Sequence, residues 1–209
     1  MEDINKLGRK ERERLQRKQE IQKSAARLFA EKGFTNATLE DIATSSEFGI
    51  GTIYNYFQNK EEIFRSIIES ILDSNLEIIS ATESTTTGLV DFLKAYTRSV
   101  FYYFVDKRDE VLLLVSYFTG IGEKPVHLGQ DCFREKNCQI EGVLRKRIKG
   151  GIESREIRNI NPEYFLYIYH TLVFPYVTTQ LKRKVLNSSN IDEHVNFVLD
   201  ILFNGILIK

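Results

Sequence analysis

Two short helix signals set back to back, between much longer ones, constrain this 209-residue chain more than any other feature. Thr38 is a good N-cap, and Asp41 completes a Thr-x-x-Asp capping box. Leu39, Ile42 and Ala43 supply a buried side, and the helix ends near Ser45 or Ser46. A short connection with Phe48 and Gly49 leads into a second short helix, from about Ile50 to Tyr56. Ahead of the pair, Ile21, Ala25, Leu28 and Phe29 recur at i, i+4, i+7 and i+8, so one long helix is expected from about Arg9 to Lys32. Gly33 suits the left-handed turn that ends it. Behind the pair, Asn59 caps a helix starting at Lys60, with Glu61 and Glu62 where negative charge complements the dipole.

Two short helices joined by a tight turn and buttressed by a longer one describe a helix-turn-helix unit. Ile53 and Phe57 of the second helix are available to a core. Thr52, Asn55 and Tyr56 are left outward, with Tyr54 at the margin. Hydroxyls and an amide can bond phosphates and base edges. A merely solvated helix more typically carries Lys and Glu there.

The rest reads as helix throughout. The Lys60 helix should run to about Ser80, where the polar run 82–88 breaks the pattern. Further helices are expected near 89–105, 108–119, 125–150, 162–186 and 191–207. Pro162 stands at a first helical position, where its missing N–H costs nothing. With three prolines and twelve glycines, long helices go uninterrupted, and no strand alternation or fixed-period repeat is visible. The expected class is all-α: a three-helix helix-turn-helix domain over 1–59, then a larger helical domain over 60–209.

Net charge is +0 with a pI near 6.9, which is not the basic balance of many DNA binders. The distribution matters more. Arg9, Lys10, Arg12, Arg14, Arg17, Lys18 and Lys23 crowd the N-terminus, interleaved with Glu11, Glu13 and Glu20. This run reads either as a solvated face laced with i,i+4 pairs or as groups that reach phosphates or a minor groove. Cys132 and Cys138 point in different directions on a helix, so two free thiols fit a reducing cytoplasm. Nothing resembles a phosphate-cradling loop, a catalytic triad or a metal cluster, so no enzyme, catalytic residue, metal or cofactor is expected. No apolar stretch is long enough to span a bilayer, and the N-terminus lacks a signal peptide's apolar region. A cytoplasmic protein without a membrane partner is expected.

The stretches Thr38-Leu-Glu-Asp-Ile-Ala43, Gly51-Thr-Ile-Tyr-Asn-Tyr-Phe57 and Asn59-Lys-Glu-Glu-Ile63 resemble the DNA-binding signature of the tetracycline-repressor (TetR) family. Ala26-Arg-Leu-Phe-Ala-Glu-Lys-Gly-Phe34 resembles the end of that family's first helix. The resemblance covers roughly residues 20–65. It implies that Thr38, Thr52, Tyr54, Tyr56 and Lys60 contact phosphates. Asn55 pairs with adenine or with backbone, Gly51 allows close approach to DNA or helix packing, and Ile50 can touch a thymine methyl. The chain departs from the family in having Glu47 where Gly is usual in the turn, Gly49 where a polar residue is common, and Ile50 where Lys or Pro is common. A non-Gly residue in a left-handed turn costs on the order of 1 kcal/mol.

The resemblance also implies that 1–59 is a DNA-binding domain and 60–209 a helical ligand-binding and dimerisation domain, whose last two helices pair with their counterparts in a homodimer that reads a palindromic duplex operator. Tyr164, Ile168, Leu172, Tyr176, Val195, Val198, Leu199 and Leu202 are the candidates for that interface, with protomer core as the other reading. Helical ligand sites are lined by aromatics with a few polar handles. Tyr96, Phe101, Tyr117, Phe118, His127, Phe133, Tyr169, His170 and Phe174 are the candidates to line one, for a small and largely apolar effector. The expected function is a repressor released from DNA by that effector. The alternative is an activator, or a regulator controlled by a protein partner without a small molecule.

Overall fold

The computed structural model describes residues 8–119 and 130–205. Among the described residues all regular structure is α-helical, in nine helices: α1 Arg9–Lys32, α2 Leu39–Ser45, α3 Ile50–Tyr54, α4 Lys60–Thr85, α5 Leu89–Asp106, α6 Arg108–Thr119, α7 Gln130–Glu153, α8 Pro162–Lys182 and α9 Ile191–Asn204. The all-α expectation holds. The departures lie at helix ends and have local causes. The Ser/Thr tract expected to break α4 prolongs it, because Thr82 and Thr85 donate their hydroxyls to the carbonyls of Ile78 and Ala81. α7 overruns Gly150 and Gly151 and stops before Arg155, whose φ is +61°. α8 ends ahead of Lys184, at φ +57°, and α9 ahead of Gly205, at φ +72°.

The described residues fall into two compact units. Those of Met1–Ser74 and Asp109–Phe133 make one, and those of Asn75–Arg108 and Arg134–Lys209 the other. In the first, α1 packs on α2 and α2 on α3. Ile21, Ala25, Ile42, Ile53 and Phe57 are buried, and the rings of Phe29, Phe34 and Phe64 meet with centroids 5.0–6.1 Å apart. Each buried ring of this kind stabilises by roughly 1.5–3 kcal/mol over exposure. Polar ties fix the packing angle: Lys32 Nζ to Asp41 at 2.8 Å and Arg27 to Ser45 Oγ at 2.7 Å. Glu47 takes φ +59° in the α2–α3 turn, the left-handed position expected of it.

In the second unit α5 meets both α8 and α9, and these two pack on each other. Phe92, Leu93 and Phe101 of α5 are fully buried, and Thr97 shares a hydrogen bond of 2.8 Å with the Tyr169 hydroxyl. Two long-range polar contacts tie α7 and the segment after it to this core. The Arg147 guanidinium donates to the carbonyls of Thr86 and Thr87 beyond the end of α4 and lies 4.7 Å over the Phe92 ring. Glu156 accepts the first amides of α5, from Leu89 at 2.6 Å and Val90 at 2.8 Å, so a distant carboxylate caps a helix whose own N-cap is Gly88. Gly151 lets the chains approach here, since a Cβ would sit 2.6 Å from a Leu89 methyl. Among the described residues no helix is long and apolar enough to cross a membrane.

Candidate nucleic-acid interface

α3 is only five residues long, too short to persist without packing. Its anchor is Ile53, with no exposed surface, followed by Phe57. Helical bonding continues past the last assigned residue: the amides of Asn55 and Phe57 donate to Gly51 and Ile53 at 3.2 and 2.9 Å. Asn55 and Tyr56 therefore extend the same screw, as the expected end at Tyr56 requires.

The side opposite Ile53 is open. Gly51 and Asn55 are exposed, and Thr52 and Tyr56 are half-buried. Tyr54, marginal in the sequence pattern, is 56% exposed. Ile50 is also exposed, an apolar side chain at the leading edge. A Cβ added at Gly51 would meet no atom within 4 Å, so the helix-packing reading of this glycine has no support within the protomer. The open side thus carries an amide, several hydroxyls and a flat approach, and no formal charge.

Thr38 is exposed at the N-cap of α2. Its hydroxyl oxygen accepts from the Asp41 amide at 3.1 Å, and the Asp41 carboxylate accepts from the Thr38 amide at 3.2 Å. The Lys32 ammonium, then the Thr38 amide, hold the Asp41 carboxyl below its usual range. Capping uses Thr38 as an acceptor, and its hydroxyl is also hydrogen-bonded to the Asp41 carboxylate.

Lys60 behaves differently from the sequence expectation. Its ammonium donates to the carbonyls of Phe34, Thr35 and Ala37 at 2.8, 2.9 and 2.9 Å and lies 4.7 Å over the Phe34 ring. An ammonium has three donors, and all three are occupied. In this geometry Lys60 staples the start of α4 to the α1–α2 connection and has no donor left for a phosphate. No local pattern in the sequence announces this, because the carbonyls lie more than twenty residues away.

A family described as "Bacterial regulatory proteins, tetR family" matches residues 21–67. The HTH-type transcriptional regulator YfiR of Bacillus subtilis is 30% identical over 138 residues, which span 54% of this chain and 67% of that protein. The chain belongs to the TetR family. A second TetR-type relative, the HTH-type transcriptional repressor KstR2 of Rhodococcus jostii, is 30% identical over 65% of this chain and 67% of its own length. The fold agrees with that of the transcriptional regulator FadR from Bacillus subtilis, solved in complex with stearoyl-CoA. Its TM-score is 0.70 at 20% identity, over 90% of this chain and 99% of that one. This chain is accordingly a helix-turn-helix transcriptional regulator of TetR type, and its relatives are regulators, not enzymes.

The second unit of this TetR regulator distributes the remaining expected residues unevenly. Tyr96 and Tyr169 are buried and satisfied, by Asn75 at 2.8 Å and by Thr97, and burial raises both phenol pKa values. Phe101 is core, and Phe174 is half-buried against Phe104. His170 is the exception: its buried Nε2 has no hydrogen-bond partner among the described residues, and burial holds the imidazole below its usual pKa. His127 and the side chains of Tyr117, Phe118 and Phe133 lie outside the described residues.

Of the expected pairing residues, Tyr164 and Ile168 are exposed, and Leu172, Tyr176 and Leu202 are half-buried. Val195, Val198 and Leu199 are buried in the protomer's own core, against α5 and α8, which corrects their assignment to a surface. Two exposed rings were not singled out from the sequence: Tyr167, at 70%, and Phe197, at 55%. The signal for Tyr167 was its place on the Tyr164–Ile168 stripe. A groove of about 1150 Å³ between α5, α8 and α9 runs alongside, with Ile168, Phe197 and Leu202 among its walls.

Proposed function

We propose that this chain is a homodimeric repressor that holds a palindromic duplex operator through α3 and leaves it when a small, largely apolar ligand occupies the helical domain. Residues 1–59 are the reading head, and 60–209 sense and pair. The observation that carries the reading is the uncharged, hydrogen-bonding open side of α3. Asn55 is suited to an adenine edge, Ile50 to a thymine methyl, and Thr38, Thr52, Tyr54 and Tyr56 to flanking phosphates. Lys60 positions the head and makes no contact itself.

Pairing through α8 and α9 is supported by Tyr164, Tyr167, Ile168 and Phe197, large side chains left exposed on these two helices. Relatives named as repressors and FadR's stearoyl-CoA complex support the control mode. His170 is the polar handle this reading assigns to the ligand, because its unpaired Nε2 gains a partner there. Stabilisation by ligand would then shift the population away from the DNA-binding form.

Selection from a pool of randomised duplexes tests the reading. The expected product is an inverted repeat with half-sites about 10 base pairs apart, or a multiple of that spacing. Asn55→Ala then relaxes preference at one base pair per half-site, and Tyr56→Ala weakens all sequences alike. An unenriched pool overturns the assignment.

A further inference from the structure

The leading half of α1 buries no residue. Every residue from Arg9 to Glu20 is exposed, and burial begins abruptly at Ile21. This stretch is a helix about 18 Å long at 1.5 Å per residue. The helical stripe that buries Ile21, Ala25 and Leu28 continues backward as Lys18, Arg14 and Glu11, so the face that is apolar over the domain becomes charged beyond it.

The charge is one-sided. Arg9 to Glu20 holds six basic and three acidic residues, a net of +3 in a chain whose total is +0. The acids are engaged locally: Glu11 accepts from the Gly8 amide, Glu13 pairs with Arg9 at 2.8 Å, and Glu20 accepts from Gln16. Lys10, Arg12, Arg14 and Arg17 have no ion pair among the described residues. A helix that is polar all round is held here by its i,i+4 pairs and by growing from the packed half.

Its place in the unit is fixed. Lys18 Nζ lies 5.9 Å over the ring of Phe57, the residue that closes the α3 screw. The exposed half of α1 therefore starts beside the C-terminal end of the recognition segment. Four guanidiniums among the six cations favour bidentate phosphate contacts.

We propose that residues 9–18 are a phosphate-gripping arm: a second, sequence-blind DNA contact that adds affinity to whatever α3 reads. This rests on the reading of α3 as the recognition helix. The arm carries no group placed to read bases, so it contributes to the salt-dependent part of binding.

The test is fluorescence anisotropy on the selected duplex and on a scrambled one, across a salt series. It uses the full chain, the triple variant Arg12→Gln/Arg14→Gln/Arg17→Gln and the double variant Thr52→Ala/Asn55→Ala. All substituted side chains are exposed or half-buried, and circular dichroism checks that helicity is kept. The arm variant is expected to lose roughly 10- to 100-fold on both duplexes. Its slope of log affinity against log salt should fall by about 0.9 for each phosphate contact removed. The α3 variant should lose discrimination between duplexes with its salt slope nearly intact. An arm variant with unchanged affinity and slope, while the α3 variant loses discrimination, overturns the arm alone. A full chain that binds neither duplex overturns the α3 reading beneath it.

Discussion

α3 and α8 each turn one side away from their own unit, and the two sides differ in chemistry. α3 presents Thr52, Tyr54, Asn55 and Tyr56 around a bare Gly51. α8 presents Tyr164, Tyr167 and Ile168, with Phe197 beside them on α9. The first surface is uncharged and rich in donors and acceptors, so it loses little in water and gains directional bonds against a polar edge. The second is mostly ring and methyl, so it gains by excluding water. Exposure alone does not specify a partner; the groups exposed do. A groove of DNA suits the one, a copy of the same rings suits the other.

Charge placed on each surface separates them most sharply. Asn55→Glu sets a carboxylate against the phosphates and should cost at least about 100-fold in DNA affinity, read by gel shift. The thermal midpoint should barely move, because the site is exposed. Tyr167→Glu with Phe197→Glu should leave helicity intact and halve the mass by light scattering, with palindrome affinity falling to that of a half-site. If both variants, the single and the double, lowered only stability, the comparison would fail.

Lys60 tests a residue near the first surface that does not belong to it. Lys60→Met leaves three carbonyls without their donor and should destabilise by about 2–3 kcal/mol in a denaturant titration. The salt slope of DNA binding should stay unchanged. A shallower slope with full stability would return Lys60 to the phosphate contacts.

His170 sharpens the other half. Burial disfavours the imidazolium, so the folded pKa lies below the ordinary 6.5. The unfolded chain therefore takes up the proton first as pH falls. The stability linked to this residue is complete above 6.5 and is lost on acidification toward the folded value. His170→Phe should remove that acid-side loss and add about 1–2 kcal/mol, because an unpaired buried nitrogen disappears. The same variant should respond poorly to effector. The smallest effect is expected at Glu47→Gly, which relieves a left-handed non-glycine for a gain of a few tenths to about 1 kcal/mol.

The two surfaces were not equally legible in the sequence. The reading head is built from near neighbours, so the capping box, the Glu47 turn and the open residues of α3 all leave local marks. The helices of the second unit could be read by period. Which face of α9 is buried could not, because Val195, Val198 and Leu199 owe their burial to α5 and α8, distant in sequence. Lys60, Arg147 and Glu156 were illegible for the same reason: each acts on backbone groups twenty or more residues away. The Ser/Thr tract at the end of α4 misled because hydroxyls that favour turns can also bond back along a helix.

Missing-contact footprinting on the selected operator tests the central claim most directly, with 7-deaza-adenine and 7-deaza-guanine probing the major groove and 3-deaza-adenine the minor groove. The account predicts interference in the major groove of both half-sites, and its loss at one position when Asn55→Ala replaces the full chain's amide. Interference confined to the minor groove, or a pattern indifferent to α3 substitutions, would contradict it.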